Sequence, residues 1–454
     1  MNKKLIALSL LFVFIVTSGF GCKAVSTETK KASEPIALEY WRVFDGPDAF
    51  QEIIDQYKIL HPNITINYRK LRIEEYENEL INALAEDRGP DMFTIHNTWV
   101  KKYENKITPL PAQISMVYQV EKTGIQTEIV PEIKTTKSLT PSDVQKLFAD
   151  VVANDVVVNN QIFGLPLSVD TLTLFYNKDL FNSAGIANPP QFWDQVFQQD
   201  VKKLTKQDPK RQIIQSGVSL GASKNINRFS DVLTALMMQN GSKILEDGKV
   251  VFSEIPENLS SSGYNPGLGA LIFFTDFSNP IKEVYSWNEA LPNSLEMFIS
   301  GNLAMTFGYS YDLPTIKSRA PKMNFAVVKL PQISGNPEIN FANYWLETVS
   351  KKSTHQNEAW DFIQFATKQE QAKLYLAKTK KPTALRSLID EQKNDPELAP
   401  FAEQVLTAKS WYHGKDPQSA ENAIGEMISN AAKNYDQLKE ILEFGASQVQ
   451  QTIQ

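Results

Sequence analysis

Two periodicities of hydrophobic residues alternate along the first hundred residues of the chain. Residues 36–41, 64–71 and 91–95 have the apolar content and the alternation of β-strands. Residues 47–60 and 74–89 instead repeat apolar side chains at helical spacing. This strand–helix–strand–helix–strand order predicts a mainly parallel sheet with helices on both faces.

The rest of the chain continues to mix helices and strands. Residues 107–160 are less regular and are interrupted by prolines, and residues 253–268 are rich in loop-forming residues. The pattern predicts strands at 171–177, 303–308 and 324–330, and helices at 228–240, 292–300, 357–378 and 421–446.

The N-terminal segment has the features of an export signal. Two lysines precede an apolar run from Leu5 to Val16, which is too short for a comfortable bilayer crossing, and Cys22 follows small residues. This order resembles a bacterial lipoprotein signal, so we expect residues 1–21 to be removed and Cys22 to be lipidated. An ordinary cleaved signal with an incidental cysteine is the alternative. Residues 22–35 are mostly polar and predict a flexible tether, which would hold the fold at the outer face of the cytoplasmic membrane or in the periplasm.

Composition and charge argue against several classes of protein. Hydrophobic residues make up 42% of the 454 residues and charged residues 22%, as in globular proteins rather than disordered or polytopic membrane proteins. The length favours two domains or lobes. A formal net charge of −6 speaks against nonspecific nucleic-acid binding, which needs a basic surface. One cysteine and four scattered histidines leave little material for a disulfide framework or a metal site, so no cofactor is expected.

Aromatic residues recur at the predicted ends of strands. Ligands of open parallel sheets bind beyond the carboxyl ends of the strands, so these positions are candidates for a ligand cleft. Each residue alone is more often a structural anchor than a ligand contact, but several together favour an aromatic-lined cleft. The candidates are Trp41, His96, Asn97, Trp99, Trp287, Tyr309, Tyr311, Trp345 and Trp411. Asp170, at the start of a predicted strand, could accept hydrogen bonds from ligand hydroxyls or could be a structural cap.

Five stretches, taken in order, carry a resemblance to a known family. They are LEYWRVFDGPDAFQEIIDQYKILHPNITINY (38–68), GPDMFTIHNTW (89–99), IFGLPLSVDTLTLFYNKDLFNSAGI (162–186), GNLAMTFGYSYDLPTI (301–316) and NYWLETVSKKSTHQNEAWDFIQFATKQEQ (343–371). Together they resemble bacterial type 1 extracellular solute-binding proteins, the maltose-binding-protein-like receptors of ATP-driven (ABC) sugar importers.

The resemblance implies an α/β fold of two lobes around a central cleft, joined by crossing strands at a hinge. Lobe 1 would comprise residues 36–169 and 332–366, and lobe 2 residues 170–331 and 367–454. It also implies solute contacts, either by hydrogen bonds or by aromatic stacking. Those carried over by position are Asp45, Asn97, Trp99, Asp170, Asn227, Asp231, Tyr311, Asn343 and Trp345.

The expected function is capture of a small solute, above all a mono- or oligosaccharide, and its delivery to an ABC permease. Such a protein would be a monomer without chemistry of its own. Three alternatives stay open at this point. The first is a binding protein for a peptide, a polyamine or a metal ion. The second is a surface glycoside hydrolase, which needs two facing carboxylates such as Asp45 and Asp170. The third is a lipoprotein that serves adhesion or sensing.

Overall fold

A computed structural model describes residues 26–123 and 127–453 of the chain, without the side chains of residues 122–128. The predicted signal segment and Cys22 lie outside the described residues. No helix in the described ranges combines the length and the apolar character that crossing a bilayer requires.

Lobe 1 is built on a five-stranded sheet. Its strands, from edge to edge, are Ile64–Leu71, Ile36–Val43, Met92–His96, Trp345–Ser350 and Ile107–Thr108. The first three are mutually parallel, as the sequence pattern predicts, and Trp345–Ser350 is antiparallel to both of its neighbours. In the register of this sheet Trp345 lies opposite His96, so two candidate ligand residues are side by side at one edge.

Helices cover both faces of this sheet, and their apolar sides form a continuous core with it. The α-helices of lobe 1 are Gln51–Leu60, Ile73–Ala85, Val100–Tyr103, Pro141–Leu147, Asp150–Val156, Gln356–Ala366, Gln369–Thr379 and Arg386–Gln392, with 3₁₀ turns at Pro47–Ala49 and Asn97–Trp99. Two short strands, Val157–Val158 and Gln161–Ile162, pair with each other.

The irregular stretch after residue 107 contains a long hairpin. Strand Gln113–Thr123 pairs with Thr127–Lys137 along its whole length. A short helix, Thr27–Ala32, lies against this hairpin. The Asn63 amide also donates to the carbonyls of Ala32 and Glu34. Part of the segment expected to be a flexible tether is therefore folded onto lobe 1.

Lobe 2 has its own five-stranded sheet. The strand order is Lys206–Gln207, Ile213–Val218, Leu303–Gly308, Thr173–Asn177 and Phe325–Lys329. Strand Thr173–Asn177 is antiparallel to both of its neighbours. The α-helices around it are Lys178–Ser183, Gln195–Leu204, Phe229–Gln239, Pro266–Asp276, Ser294–Ile299, Asp312–Arg319, Ala399–Ala402, Pro417–Ala431 and Leu438–Ile453. Smaller elements are the strands Leu245–Glu246 and Lys249–Val250 and the 3₁₀ turns Glu257–Leu259, Val405–Thr407 and Tyr435–Gln437.

The two lobes are joined by a three-stranded sheet at the hinge. Strand Asn340–Asn343 pairs antiparallel with Asp170–Thr171 and parallel with Ala408–Lys409. At each of these places the chain leaves one hydrophobic core and enters the other. The residue pairs that mark the three crossings are Val169 and Leu172, Ala342 and Phe341, and Ala408 and Tyr412.

The boundary of lobe 1 differs from the expected one. The resemblance places everything after residue 366 in lobe 2, whereas helices Gln369–Thr379 and Arg386–Gln392 pack into the core of lobe 1. Their apolar faces, which include Tyr375 and Leu388, are buried there. The chain therefore stays with lobe 1 for two further helices before the last crossing.

Two segments predicted as single long helices are each broken in two. At Thr367 the hydroxyl donates to the carbonyl of Ile363 at 2.9 Å, a bond that competes with the helical backbone. The C-terminal segment forms Pro417–Ala431 and Leu438–Ile453, which pack on each other. Gly445 permits this approach, because a Cβ there would lie 2.6 Å from the sulfur of Met427.

Candidate functional site

An aromatic cluster forms the lobe 1 side of the cleft. The ring centroid of Trp345 is 5.5 Å from that of Trp99 and 5.7 Å from that of His96. The Nε2 atom of His96 lies 3.2 Å from the Oδ1 atom of Asn343 on the hinge strand. Four residues that the sequence named separately are thus brought together, and all four are half-buried.

Phe44 joins this cluster from the loop after the first strand. Its ring lies edge-on to Trp345 with centroids 5.6 Å apart, and the residue is 48% exposed. Its backbone is left-handed, with φ of 65°, and the Asp45 N–H donates to the Val43 carbonyl at 2.8 Å across it. This is a γ-turn, a strained conformation for a residue with a side chain. The strained residue, Phe44, is therefore the one whose ring lies at the cleft.

A tyrosine pair forms the lobe 2 side of the cleft. The Tyr311 ring stacks on Tyr309 with centroids 5.4 Å apart, and Tyr311 is 48% exposed whereas Tyr309 is fully buried. The Tyr309 hydroxyl donates to Asp231 at 2.6 Å, and Asp231 also accepts two hydrogen bonds from Arg228 at 2.8 and 2.7 Å. Asp231 therefore fixes Tyr309, on which the exposed Tyr311 ring stacks, and also fixes Arg228. Burial raises the pKa of Tyr311 well above its usual value, so its hydroxyl stays protonated and can donate a hydrogen bond.

The charge of Arg228 reaches across to lobe 1. Burial and the Arg228 guanidinium together lower the pKa of His96 to about 4. His96 is therefore neutral at physiological pH, and one of its ring nitrogens can accept a hydrogen bond while the other donates. The two walls are close enough to influence each other electrostatically.

Asp170 lies on the hinge between the two walls. Its Oδ2 atom accepts from the Ser310 backbone N–H at 2.9 Å and from the Ser310 hydroxyl at 2.6 Å, while Oδ1 accepts from the Thr171 N–H at 2.9 Å. Burial raises the pKa of this carboxyl to about 7 despite these donors. Asp170 thus ties the hinge strand to the residue that separates Tyr309 from Tyr311.

A second buried carboxylate, Asp155, gathers residues from other parts of the hinge. It accepts from the Asn97 amide at 2.9 Å and from the Tyr344 hydroxyl at 2.6 Å, and the Ser410 hydroxyl also donates to it. The Ser410–Asp155 contact also fixes the neighbouring Trp411, which is half-buried and lies where the chain crosses from lobe 1 to lobe 2 between Ala408 and Tyr412. Asn97 itself is buried, and no described residue donates to its Oδ1 atom.

Other predicted site residues are engaged inside the lobes. Trp287 is fully buried, and its indole N–H donates to Asn225 at 3.0 Å, so its ring packs inside lobe 2. Trp41 is buried in the lobe 1 sheet, and the Arg69 guanidinium lies 4.6 Å from its ring. Asn227 accepts from the Asn293 amide at 2.7 Å.

Asp45 turns away from the cleft into a buried ion cluster. Its side chain is 8% exposed, and its carboxylate accepts from the Lys381 ammonium at 2.7 Å and from the Tyr375 hydroxyl at 2.8 Å. Burial would raise the pKa of Asp45, but Arg42 and Lys381 outweigh it and lower that pKa. The carboxylate anchors the loop that carries Phe44.

Sequence reasoning missed Phe44 and Arg228. Phe44 lies between two predicted site residues, Trp41 and Asp45, and the signal for it is a large apolar residue just after a strand. Arg228 precedes Asp231 by one helical turn, a spacing that favours an ion pair. Its own left-handed backbone, with φ of 58°, is not visible in the sequence.

The arrangement suits recognition of a polar molecule that has apolar faces. Exposed rings on both walls can pack on such faces, and the recessed Asp170, Asn343 and Arg228 offer hydrogen bonds between them. Within residues 26–123 and 127–453, no group of three or more His, Cys, Asp or Glu side chains is arranged to hold a metal ion.

Comparisons with known proteins identify the family of this chain. The family model for bacterial extracellular solute-binding proteins matches residues 45–373. The multiple sugar-binding protein of Streptococcus mutans is 25% identical over 57% of this chain and 59% of its own length. The maltodextrin-binding protein of Bacillus subtilis is 26% identical over 55% of this chain and 57% of its own length. The alignments with both relatives therefore span less than two thirds of their lengths.

Solved structures share the fold. The cyclic α-maltosyl-1,6-maltose binding protein of Arthrobacter globiformis superimposes with a TM-score of 0.72 over 92% of this chain and 99% of that protein, at 17% identity. The two-lobed architecture is thus common to both, although the sequences have diverged widely. Since the family model matches well over half of the chain, this protein belongs to the bacterial extracellular solute-binding proteins.

Proposed function

We propose that this protein captures a carbohydrate between its two lobes and delivers it, chemically unchanged, to an ABC permease. The observation that carries the proposal is the pair of exposed aromatic surfaces on opposite walls of the hinged cleft. Trp345 with Phe44 lies on one wall and Tyr311 on the other. Sugar rings present apolar C–H faces to such side chains and hydroxyls to the polar groups between them. The names of the two sugar-binding relatives support the same ligand class.

We also propose that the protein is held at the outer face of the cytoplasmic membrane or in the periplasm through a lipid on Cys22, and that it acts as a monomer. The folded segment Thr27–Ala32 leaves only a short stretch between that cysteine and lobe 1. Labelling with a radioactive fatty acid in the native host would test the anchor. A Cys22→Ser variant that still incorporates label would contradict it.

A thermal-shift screen of residues 22–454 tests the ligand class. Mono- and oligosaccharides are compared with polyamines, peptides and divalent metal salts, and each stabilising compound is recovered and analysed. A ligand at 1,000 times its dissociation constant adds about 4 kcal/mol to the free energy of unfolding. Stabilisation by one sugar class, with the sugar recovered intact, is the expected result. Shorter sugar products would instead indicate a hydrolase, and stabilisation by a polyamine, a peptide or a metal alone would replace carbohydrate as the solute.

Tyr311 offers a direct test of the cleft. Tyr311→Ala removes the exposed ring, and we expect the sugar identified by the screen to bind at least ~1 kcal/mol more weakly, about five-fold in dissociation constant. Tyr311→Phe keeps the ring and serves as the matched control, with a smaller loss. Both constants are measured by isothermal titration calorimetry. Equal affinity of the wild type and Tyr311→Ala would remove Tyr311 from the site.

A further inference from the structure

A cavity of about 920 Å³ lies on lobe 1, outside the cleft. It is bounded by the end of helix Gln51–Leu60, the base of the long hairpin, and helices Pro141–Leu147 and Gln356–Ala366. None of the residues that line the cleft walls lines this cavity. A volume of this size accommodates an organic molecule rather than a few waters.

Much of the lining is apolar or aromatic. Leu60 and Leu147 remain 41% and 48% exposed at its edge, and Phe365 and Tyr118 lie further in. Apolar surface left open in a concave site is stabilised when a ligand covers it. The cavity therefore favours a ligand with an apolar part.

The charged groups around the cavity are unbalanced. Four cationic side chains line it, Lys137, Lys146, Lys368 and Arg386, against two carboxylates, Asp143 and Asp361. Both carboxylates are already engaged. Asp143 accepts from the backbone and hydroxyl of Thr140, and Asp361 accepts from the Tyr57 hydroxyl at 2.9 Å, with His61 Nε2 at 3.4 Å.

The three lysines carry most of the free positive charge. Arg386 is paired with Asp150, and the charge of Lys146 acts on Asp143 without a direct ion pair. Lys137 and Lys368 form no ion pair with any described residue, and the Lys368 ammonium lies 5.8 Å from the centre of the Phe365 ring. Their charge is available to an anion that enters the cavity.

Unused hydrogen-bond donors add to this preference. The Ser138 side chain lines the cavity and is 7% exposed, and its hydroxyl has no partner among the described residues. Helix Gln369–Thr379 begins at the cavity with Lys368 as its N-cap and has no side-chain cap. The N–H groups of an uncapped first turn attract negative charge. The N–H of Leu139, the residue after Ser138, donates to Gln364, which precedes Lys368 by about one helical turn. Ser138 and the start of this helix are therefore neighbours.

We infer that this cavity is a second ligand site, which binds a small amphipathic molecule with a carboxylate or phosphate head and a short apolar body. The head is held by Lys146, Lys368 and the Ser138 hydroxyl, and the body packs on the leucine and aromatic lining. This site is independent of the cleft and of the solute proposed for it.

Calorimetric titration of residues 22–454 with octanoate at low salt tests the inference. Octanol has the same tail without the charge, and acetate has the charge without the tail. We expect octanoate to bind at least ten-fold more tightly than either. The double variant Lys146→Gln/Lys368→Gln should weaken octanoate binding at least ten-fold, and Ser138→Ala should weaken it to a smaller extent.

Two control variants locate the site. Lys202→Gln/Lys243→Gln removes two exposed lysines of lobe 2, and Tyr311→Ala alters the cleft. Both should bind octanoate within two-fold of the wild type, and melting curves check that every variant is folded. Octanol binding as tightly as octanoate would overturn the inference. It would also be overturned by unchanged binding in the Lys146/Lys368 variant, or by loss of octanoate binding in Tyr311→Ala.

Vesicles distinguish the two sources of such a head group. Cosedimentation with phosphatidylglycerol vesicles but not phosphatidylcholine vesicles, abolished in the Lys146/Lys368 variant, would identify a membrane lipid. Octanoate binding without vesicle binding would identify a free molecule. Failure of both octanoate and phosphatidylglycerol to bind would refute the site.

Discussion

Phe44 occupies the centre of a γ-turn, a conformation that costs a residue with a Cβ about 1–2 kcal/mol. Glycine does not carry this cost, since it has no Cβ to clash with the following carbonyl. The retention of a large ring at such a position is explained if the ring contacts the solute.

Comparison of Phe44→Gly with Phe44→Ala separates the backbone strain from the ring contact. A glycine variant is usually less stable than the alanine variant at the same position. At this left-handed position we expect the reverse, with the free energy of unfolding of Phe44→Gly about 1 kcal/mol above that of Phe44→Ala. Urea denaturation measures this difference. Both variants should lose sugar affinity equally, because both lack the ring. A variant pair with wild-type sugar affinity would exclude Phe44 from the site, whatever the stability result.

The residue scale also shows why local sequence misplaced Asp45. The loop after the first strand suggested a carboxylate facing a ligand. Besides the nearby Arg42, its partners include Lys381, which is 336 positions away along the chain and lies on a segment that packs against lobe 1. A single sequence carries no signal for such a contact.

At the scale of elements, a buried ion cluster links strand Ile36–Val43 to strand Trp345–Ser350. Arg42 on strand Ile36–Val43 lies 3.0 Å from Glu347 on strand Trp345–Ser350 and 3.3 Å from Asp45. The Tyr40 hydroxyl also donates to Glu347. These two strands are separated in the sheet by Met92–His96, so the cluster reaches across the middle strand of the sheet.

Arg42→Met should destabilise lobe 1 strongly. It leaves the buried Glu347 without its ion-pair partner and leaves Asp45 with Lys381 alone, and removal of one partner of a buried pair typically costs about 3–5 kcal/mol. Lys202→Met, which breaks an exposed pair with Glu283 on lobe 2, is the control and should cost less than about 1 kcal/mol. Guanidinium denaturation measures both. Similar small losses in the two variants would show that the cluster does not stabilise the sheet.

At the scale of the whole molecule, Asp170 links the hinge to lobe 2 through Ser310. Its pKa is raised to about 7 in the folded protein, whereas an aspartate in an unfolded chain titrates near 4. The folded form therefore holds this proton more tightly. The contribution of Asp170 to stability is most favourable below about pH 4 and is lost as the pH rises towards 7.

Asp170→Asn should remove this part of the pH dependence. We expect the wild type to lose stability between pH 5 and pH 8 relative to Asp170→Asn, by a few kcal/mol at most. Urea denaturation at both pH values gives the difference. Asp390→Asn, at a side chain that is 92% exposed, is the matched control and should follow the wild type. Parallel pH curves for the wild type and Asp170→Asn would show that this carboxyl does not titrate in the expected range.

The parallel start of lobe 1 could be predicted from the sequence pattern, and the family and its two-lobed fold from the resemblance carried by five short stretches. Local periodicity and short motifs carry this information, because each depends on residues within one or two elements. The breaks in the two long helices and the extent of lobe 1 could not be determined in this way. They depend on which apolar faces meet in three dimensions, as Gly445 and Met427 do.

The composition of the cleft walls was likewise decided only by tertiary structure. The strand register places Trp345 beside His96, and the hinge brings lobe 2 with Tyr311 towards them. The sequence predicts these residues as separate candidates, together with Trp99, Asn343 and Tyr309. Trp287 is buried in lobe 2, and Asp45 turns inward to Arg42 and the distant Lys381, which leaves Phe44 exposed. Local pattern specifies which segments become helices or strands. The surface that a side chain reaches depends on contacts between segments hundreds of residues apart.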